Sequence, residues 1–172
     1  MSVWAAVIGG LAGTLVLTTV LRAASELRLT RIDLPFLLGT ALTVDRQKAK
    51  LLGYLLHFAF GSLFSLVYYV GFVGLGRAGW LLGAGFGVIH GLFAGSALVN
   101  ILLPVVHPRM GSPLSSVESA ALLEAPGFMM LNYGRTTPIV SLVAHAMYGA
   151  IVGGFVSLAD GPSRAFPASV PT

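Results

Sequence analysis

Residues 1–21, 51–76, 78–108 and 136–159 contain no aspartate, glutamate, lysine or arginine. A hydrocarbon core about 30 Å thick is crossed by about 20 helical residues, so each of these windows is long enough for a span. An unpaired backbone amide or carbonyl in lipid costs several kcal/mol, which leaves helices and closed barrels as spanning structures. Barrel strands are about 10 residues long and alternate apolar with polar side chains; these windows are longer and do not alternate strictly. The chain is 56% hydrophobic and 9% charged, whereas a soluble domain carries roughly a quarter charged residues to cover its surface. The expectation is an all-α membrane protein: a four-helix transmembrane bundle in one domain, residues 1–159, with spans at about 3–21, 51–76, 79–104 and 137–159. Residues 160–172, "DGPSRAFPASVPT", read as a flexible external tail.

The first window has no basic region ahead of Trp4 and runs apolar as far as Arg22, longer than a signal-peptide core, so it is expected to be a retained span. The basic residues indicate orientation. Arg22, Arg28, Arg31, Arg46, Lys48 and Lys50 fall between the first and second spans, and Arg109 and Arg135 between the third and fourth; only Arg77 and Arg164 fall on the other side. That asymmetry places both long loops in the cytoplasm and both termini outside the cell membrane. It also accounts for the net charge of +4 without nucleic acid as a partner. Trp4, Tyr68, Tyr69 and Trp80 are placed where an outer aromatic belt would lie. With no cysteine in the chain, disulfides, thiolate metal sites and thiol catalysis are excluded.

Both cytoplasmic loops are expected to carry short interfacial helices. In the first, Asp33 caps a turn entered through Pro35 and ended by Gly39. In the second, Ser115 and Glu118 have capping-box spacing before an apolar run stopped by Pro126-Gly127, and "GFMML" is apolar enough to dip into the bilayer. The spans also suggest a tandem two-helix repeat. Gly53, His57, Gly61, Ser65 and Tyr69 form a row in the second span, and Ser141, His145, Gly149, Gly153 and Ser157 form one in the fourth.

Gly83, Gly87, Gly91 and Gly95 recur every fourth residue down the third span, a glycine zipper. Helices in lipid associate through close van der Waals contact, which small residues permit, so this ladder together with Gly61, Gly149 and Gly153 is read as packing surface. The first span offers Gly10, Thr14 and Thr18 on a matching row. An ionisable side chain inside a span is costly and turns to the interior or a wet cavity. By helix rise His57 and His145 lie at similar depths, roughly 10 Å from the cytoplasmic ends, with His90 about 10 Å from their level.

Three constellations follow. His57 and His145 could ligate haem b as an axial pair, their flanking glycines leaving room for a porphyrin. His107 and Met110, with Met129 or Met130, could form a copper(I)-like site, although the last two are read more simply as lipid-facing. A solute path could run along His57, His90, His145, Asn100 and the Thr14/Thr18 row. Asp33, Arg109, Glu118 and Arg135 make a cytoplasmic polar rim. No catalytic motif is present: there is no phosphate loop, nucleophile elbow or zincin spacing.

The segments "DLPFLLG" (33–39), "GYLLHFAFG" (53–61), "LLPVVHPRMG" (102–111) and "VAHAMYG" (143–149) resemble a family of small, uncharacterised bacterial four-span integral membrane proteins. The resemblance implies a four-helix membrane fold with a cytoplasmic polar rim and assigns no catalytic residue. Two functional classes remain open. One is a non-catalytic bundle that packs with itself or as an accessory subunit of a larger membrane complex; the other is a protein that binds a cofactor or small molecule, or carries a small solute.

Overall fold

The computed structural model describes residues 1–109 and 123–161. Within them the chain is helical, in the order α1 (Val3–Glu26), α2 (Leu34–Thr40), α3 (Arg46–Leu75), α4 (Trp80–Val106), a 3-10 turn (Phe128–Tyr133) and α5 (Thr137–Ala159). α1, α3, α4 and α5 are each long and apolar enough to cross a membrane. The first two run past the charge-free windows: α1 includes Arg22 and Glu26, which pair at 2.6 Å, and α3 starts at Arg46, capped by Asp45 accepting from the Lys48 amide at 2.8 Å. Charged residues therefore occupy one terminal stretch of each helix, the last turn or two of α1 and the first of α3. α3 stops at Gly76, whose left-handed φ of 65° lets the chain reverse while Arg77 donates back to the Phe72 carbonyl.

α4 is not uniform. Its middle, Ala94–Leu102, widens into a π-helical stretch before Leu103–Val106 resume the α form. Pro104 supplies the reason, having no amide hydrogen for the Asn100 carbonyl and a ring that pushes that carbonyl away.

Glycines set the helix pairings. A Cβ on Gly83 would collide with the Gly149 carbonyl, one on Gly87 with the His145 carbonyl, and one on Gly153 with the Gly79 carbonyl. α4 and α5 thus lie backbone to backbone and antiparallel. The helix seated in the α4 groove is α5, and the small residues of α1 are used elsewhere: Gly61 of α3 abuts Thr14, Gly10 abuts Ser65, and Gly13 abuts the Tyr148 ring of α5. α3 and α4 are held further apart, by aromatic side chains. Phe72 and Phe86 stack at 5.1 Å, Tyr68 meets Phe86 edge-on at 5.6 Å, and Phe64 lies 3.9 Å from the His90 ring.

α2 begins where expected, Asp33 accepting from the Phe36 amide at 3.0 Å. Gly39, however, does not end it. A Cβ there would strike the Ala49 carbonyl, and one on Gly53 the Pro35 carbonyl, so these glycines let α2 press onto the start of α3. "GFMML" also differs from its reading. Met129 and Met130 are buried, not lipid-facing, with Met129 against Gly95, and both adopt left-handed backbone, φ 52° and 61°. Burial of the two thioethers against α4 is what holds a conformation that side chains other than glycine rarely take. The Ser115/Glu118 capping box and residues 162–172 of the tail lie outside the described residues.

Candidate functional site

The polar residues of the interior gather where α3, α4 and α5 meet. His90 Nδ1 lies 3.2 Å from the Tyr68 hydroxyl, the His90 and His145 rings meet edge-on at 4.9 Å, and Tyr148 stands 5.5 Å from Tyr68 and 6.0 Å from His90. The Tyr148 hydroxyl donates to the Gly61 carbonyl, and His145 Nδ1 donates to the Ser141 carbonyl at 2.8 Å. Tyr68, placed in the outer belt from sequence, is therefore a core residue, 4% exposed. Trp4 and Trp80 do face outward.

Helix rise put His90 well away from the level of His145, and the structure brings the two rings together. The glycine register explains the difference. With Gly79 opposite Gly153, Gly83 opposite Gly149 and Gly87 opposite His145, the first turn of α5 comes level with Gly95. α4 continues for about ten residues, some 15 Å, past the start of α5, so depths counted from the two helix ends do not share an origin.

The paired-histidine haem site does not fit this packing. The space that glycines were expected to leave for a porphyrin is filled by α4: Gly87 lies on the His145 carbonyl, and a Cβ on Gly91 would sit 3.1 Å from the His145 Cβ. The cavity that touches His57 has only about 30 Å³ of room for the centres of water molecules. Among the described residues no group of three or more histidine or carboxylate side chains is arranged to hold a metal ion.

His107, the other proposed ligand, is already fully used. Its Nδ1 accepts from the Arg109 amide at 3.2 Å, and its Nε2 donates to the Leu37 carbonyl at 3.1 Å, with the Thr40 hydroxyl 3.3 Å away. Arg109 donates to the Thr40 carbonyl. His107 is a clasp between the end of α4 and α2, and neither nitrogen is left for copper; Met110 lies outside the described residues. The residues read as a solute path do not all line one space, although Thr18 and His57 border one small cavity. Thr14 and Thr18 donate to their own helix, to the Gly10 and Thr14 carbonyls at 2.7 and 2.6 Å, and Asn100 is exposed on the outer face of α4. Of the polar rim, Asp33 caps α2, Arg109 joins the clasp, Arg135 is exposed and Glu118 lies outside the described residues.

The clasp predicts a pH dependence. Burial holds the His107 imidazole below its ordinary value near 6.5, the Arg109 charge adds to the effect, and the bond to Leu37 opposes it in part. Between the two values the unfolded chain binds more protons than the folded one, so stability contributed here is present above about pH 6.5 and is lost as pH falls towards the native value. The protection of α2 amides, taken relative to the intrinsic exchange rate at each pH, should fall between pH 7.5 and 5, and His107→Leu should remove that step; a step unchanged in the variant would assign it elsewhere.

No family model matches the chain, and neither a curated protein nor a solved structure matches it. The likeness to small four-span proteins therefore rests on the quoted segments. Their residues have definite places here: "DLPFLLG" is α2 with its cap, "GYLLHFAFG" carries the α2 contact and His57, and "VAHAMYG" supplies His145, Tyr148 and Gly149. Gly79 and Tyr68 were missed as site or packing residues. Gly79 continues the four-residue spacing of the ladder by one step and could have been found from that signal; Tyr68 has none.

Proposed function

We propose that the chain is a multi-pass inner-membrane bundle without catalytic activity, whose role is to pack with itself or to serve as an accessory subunit of a membrane complex. The observation that supports this reading is the backbone interlock of α4 with α5, which leaves no substrate-sized space around the interior histidines. α3 and α4 meanwhile turn broad apolar surfaces outward, with Leu63, Val67, Val70 and Ile89 each more than half exposed. The two hairpins also favour a tandem repeat. Gly61 meets Thr14 as Gly149 meets Gly83, and Ser65 meets Gly10 as Gly153 meets Gly79, so α1–α3 and α4–α5 share one antiparallel register. α2, pressed on α3, takes the cytoplasmic interface.

Two measurements test the reading. The chain has no cysteine, so single replacements give a clean topology signal. Val44→Cys, 81% exposed beside α2, should be protected from an impermeant thiol reagent outside intact cells, and Arg77→Cys should react. The reverse pattern would overturn the orientation. Protein extracted gently into lipid nanodiscs should be an oligomer or a complex, with no stoichiometric prosthetic group. A Soret band, or one metal ion per chain, would establish the cofactor-binding class instead.

A further inference from the structure

Among the described residues, one buried side-chain polar atom has no hydrogen-bond partner: His57 Nε2. His57 is 8% exposed and forms part of the wall of a cavity between α1, α2 and α3. Thr18, Leu21 and Pro35 line the cavity with it, and Arg22, Asp33 and Tyr54, all exposed, stand around its opening. The cavity therefore runs from the α2 end of the helices inward to the His57 side chain. The equivalent position in the other hairpin shows why the space exists. There Gly87 of α4 lies directly on the His145 backbone and His145 is bonded to Ser141, whereas here the residue facing His57 is Thr18 and the position before it is Gly53, whose missing side chain admits Pro35.

We propose that this cavity is a water-binding inlet that joins the aqueous phase at the α2 end to His57, making His57 the interior histidine that exchanges protons with solvent. The inference rests on membrane insertion of α1 and α3, not on the accessory-subunit role. A water needs roughly 10–15 Å³ of such space and two to four polar partners; about 30 Å³ is present, with Thr18, Ser25, Asp33, Tyr54 and His57 among the lining residues. The ligand class follows from size and charge. The space is too small for an organic solute, and the charges at the opening, Arg22 with its partner Glu26 and Asp33, select neither an anion nor a cation. The groups facing His57 are Arg22 from α1, Asp33 ahead of α2, Tyr54 on α3 and His145 from α5. A hydronium at the inlet gives its proton to whichever imidazole nitrogen is free and leaves water behind; the reverse step returns it. The inlet is one-ended, since beyond His90 and Tyr68 the Phe72–Phe86 stack occupies the α3–α4 seam.

Hydrogen–deuterium exchange at the imidazole C2 position, read by mass spectrometry on the whole protein in nanodiscs, tests this directly because it needs both solvent and a proton-exchanging ring. His57 should exchange at least tenfold faster than His145. Thr18→Leu, which fills the inlet, should slow His57 about tenfold and leave His145 unchanged; Ser25→Leu at the opening should do the same should Thr18→Leu fail to fold. Wild-type His57 exchanging as slowly as His145 would overturn the proposal, as would fast exchange indifferent to both fillings. Loss of membrane insertion would show separately, as protein soluble without detergent or lipid.

Discussion

Gly83→Ala should destabilise the folded protein by roughly 3 kcal/mol or more, the upper end of overpacking costs, while Gly85→Ala two residues away should be neutral or stabilising. The contrast comes from a single methyl group. At Gly83 the new Cβ falls on the Gly149 carbonyl, a backbone atom of a neighbouring helix that cannot rotate aside. Relief requires α4 and α5 to separate along their whole length, because Gly79, Gly87, Gly149 and Gly153 share the same seam. At Gly85 a Cβ meets nothing within 4 Å, so only the helix preference of alanine over glycine remains, up to about 1 kcal/mol. Unfolding in mixed detergent micelles by added dodecyl sulfate gives the comparison. Equal midpoints for the two variants would mean that α4 and α5 are not in backbone contact.

Tyr148→Ala should cost about 3–5 kcal/mol, and Tyr148→Phe about 1 kcal/mol or less. Tyr148 is 1% exposed and meets Tyr68, His90 and the backbone of Gly13, so its ring fills the junction of α1, α3, α4 and α5. Removing the ring opens a cavity that none of four interlocked helices can collapse into. Removing only the hydroxyl loses a bond to the Gly61 carbonyl, and interhelical hydrogen bonds in membranes average about 0.6 kcal/mol. The ratio of the two effects carries the test. A phenylalanine variant as damaged as the alanine one would make the hydroxyl, and not the packing of the ring, the stabilising element.

Both predictions depend on contacts that a linear reading approached unevenly. The four long apolar helices were legible because length and the absence of charge can be read in one dimension: a charge-free run of about 20 residues is the pattern that a helix able to cross hydrocarbon must have. The start of α2 was legible for a similar reason, since Asp33 acts on an amide three residues away. The glycine ladder announced close approach because a missing Cβ has that consequence in any helix, but not the identity of the neighbour; α5, rather than α1, lies in the groove. Register was beyond reach. The overlap of α4 past the start of α5 depends on where Gly87 seats on the His145 carbonyl, and no local pattern encodes it. The positions of His90, Tyr68 and Tyr148 in one cluster, and the exclusion of a porphyrin from the His57 and His145 region, follow from that register. Composition and spacing thus determined the long apolar helices and the faces able to touch, all set by interactions within a few residues. Partner, register and the unpartnered nitrogen of His57 were settled by contacts between residues far apart in the chain, where shape complementarity between whole helices selects one arrangement among several of similar composition.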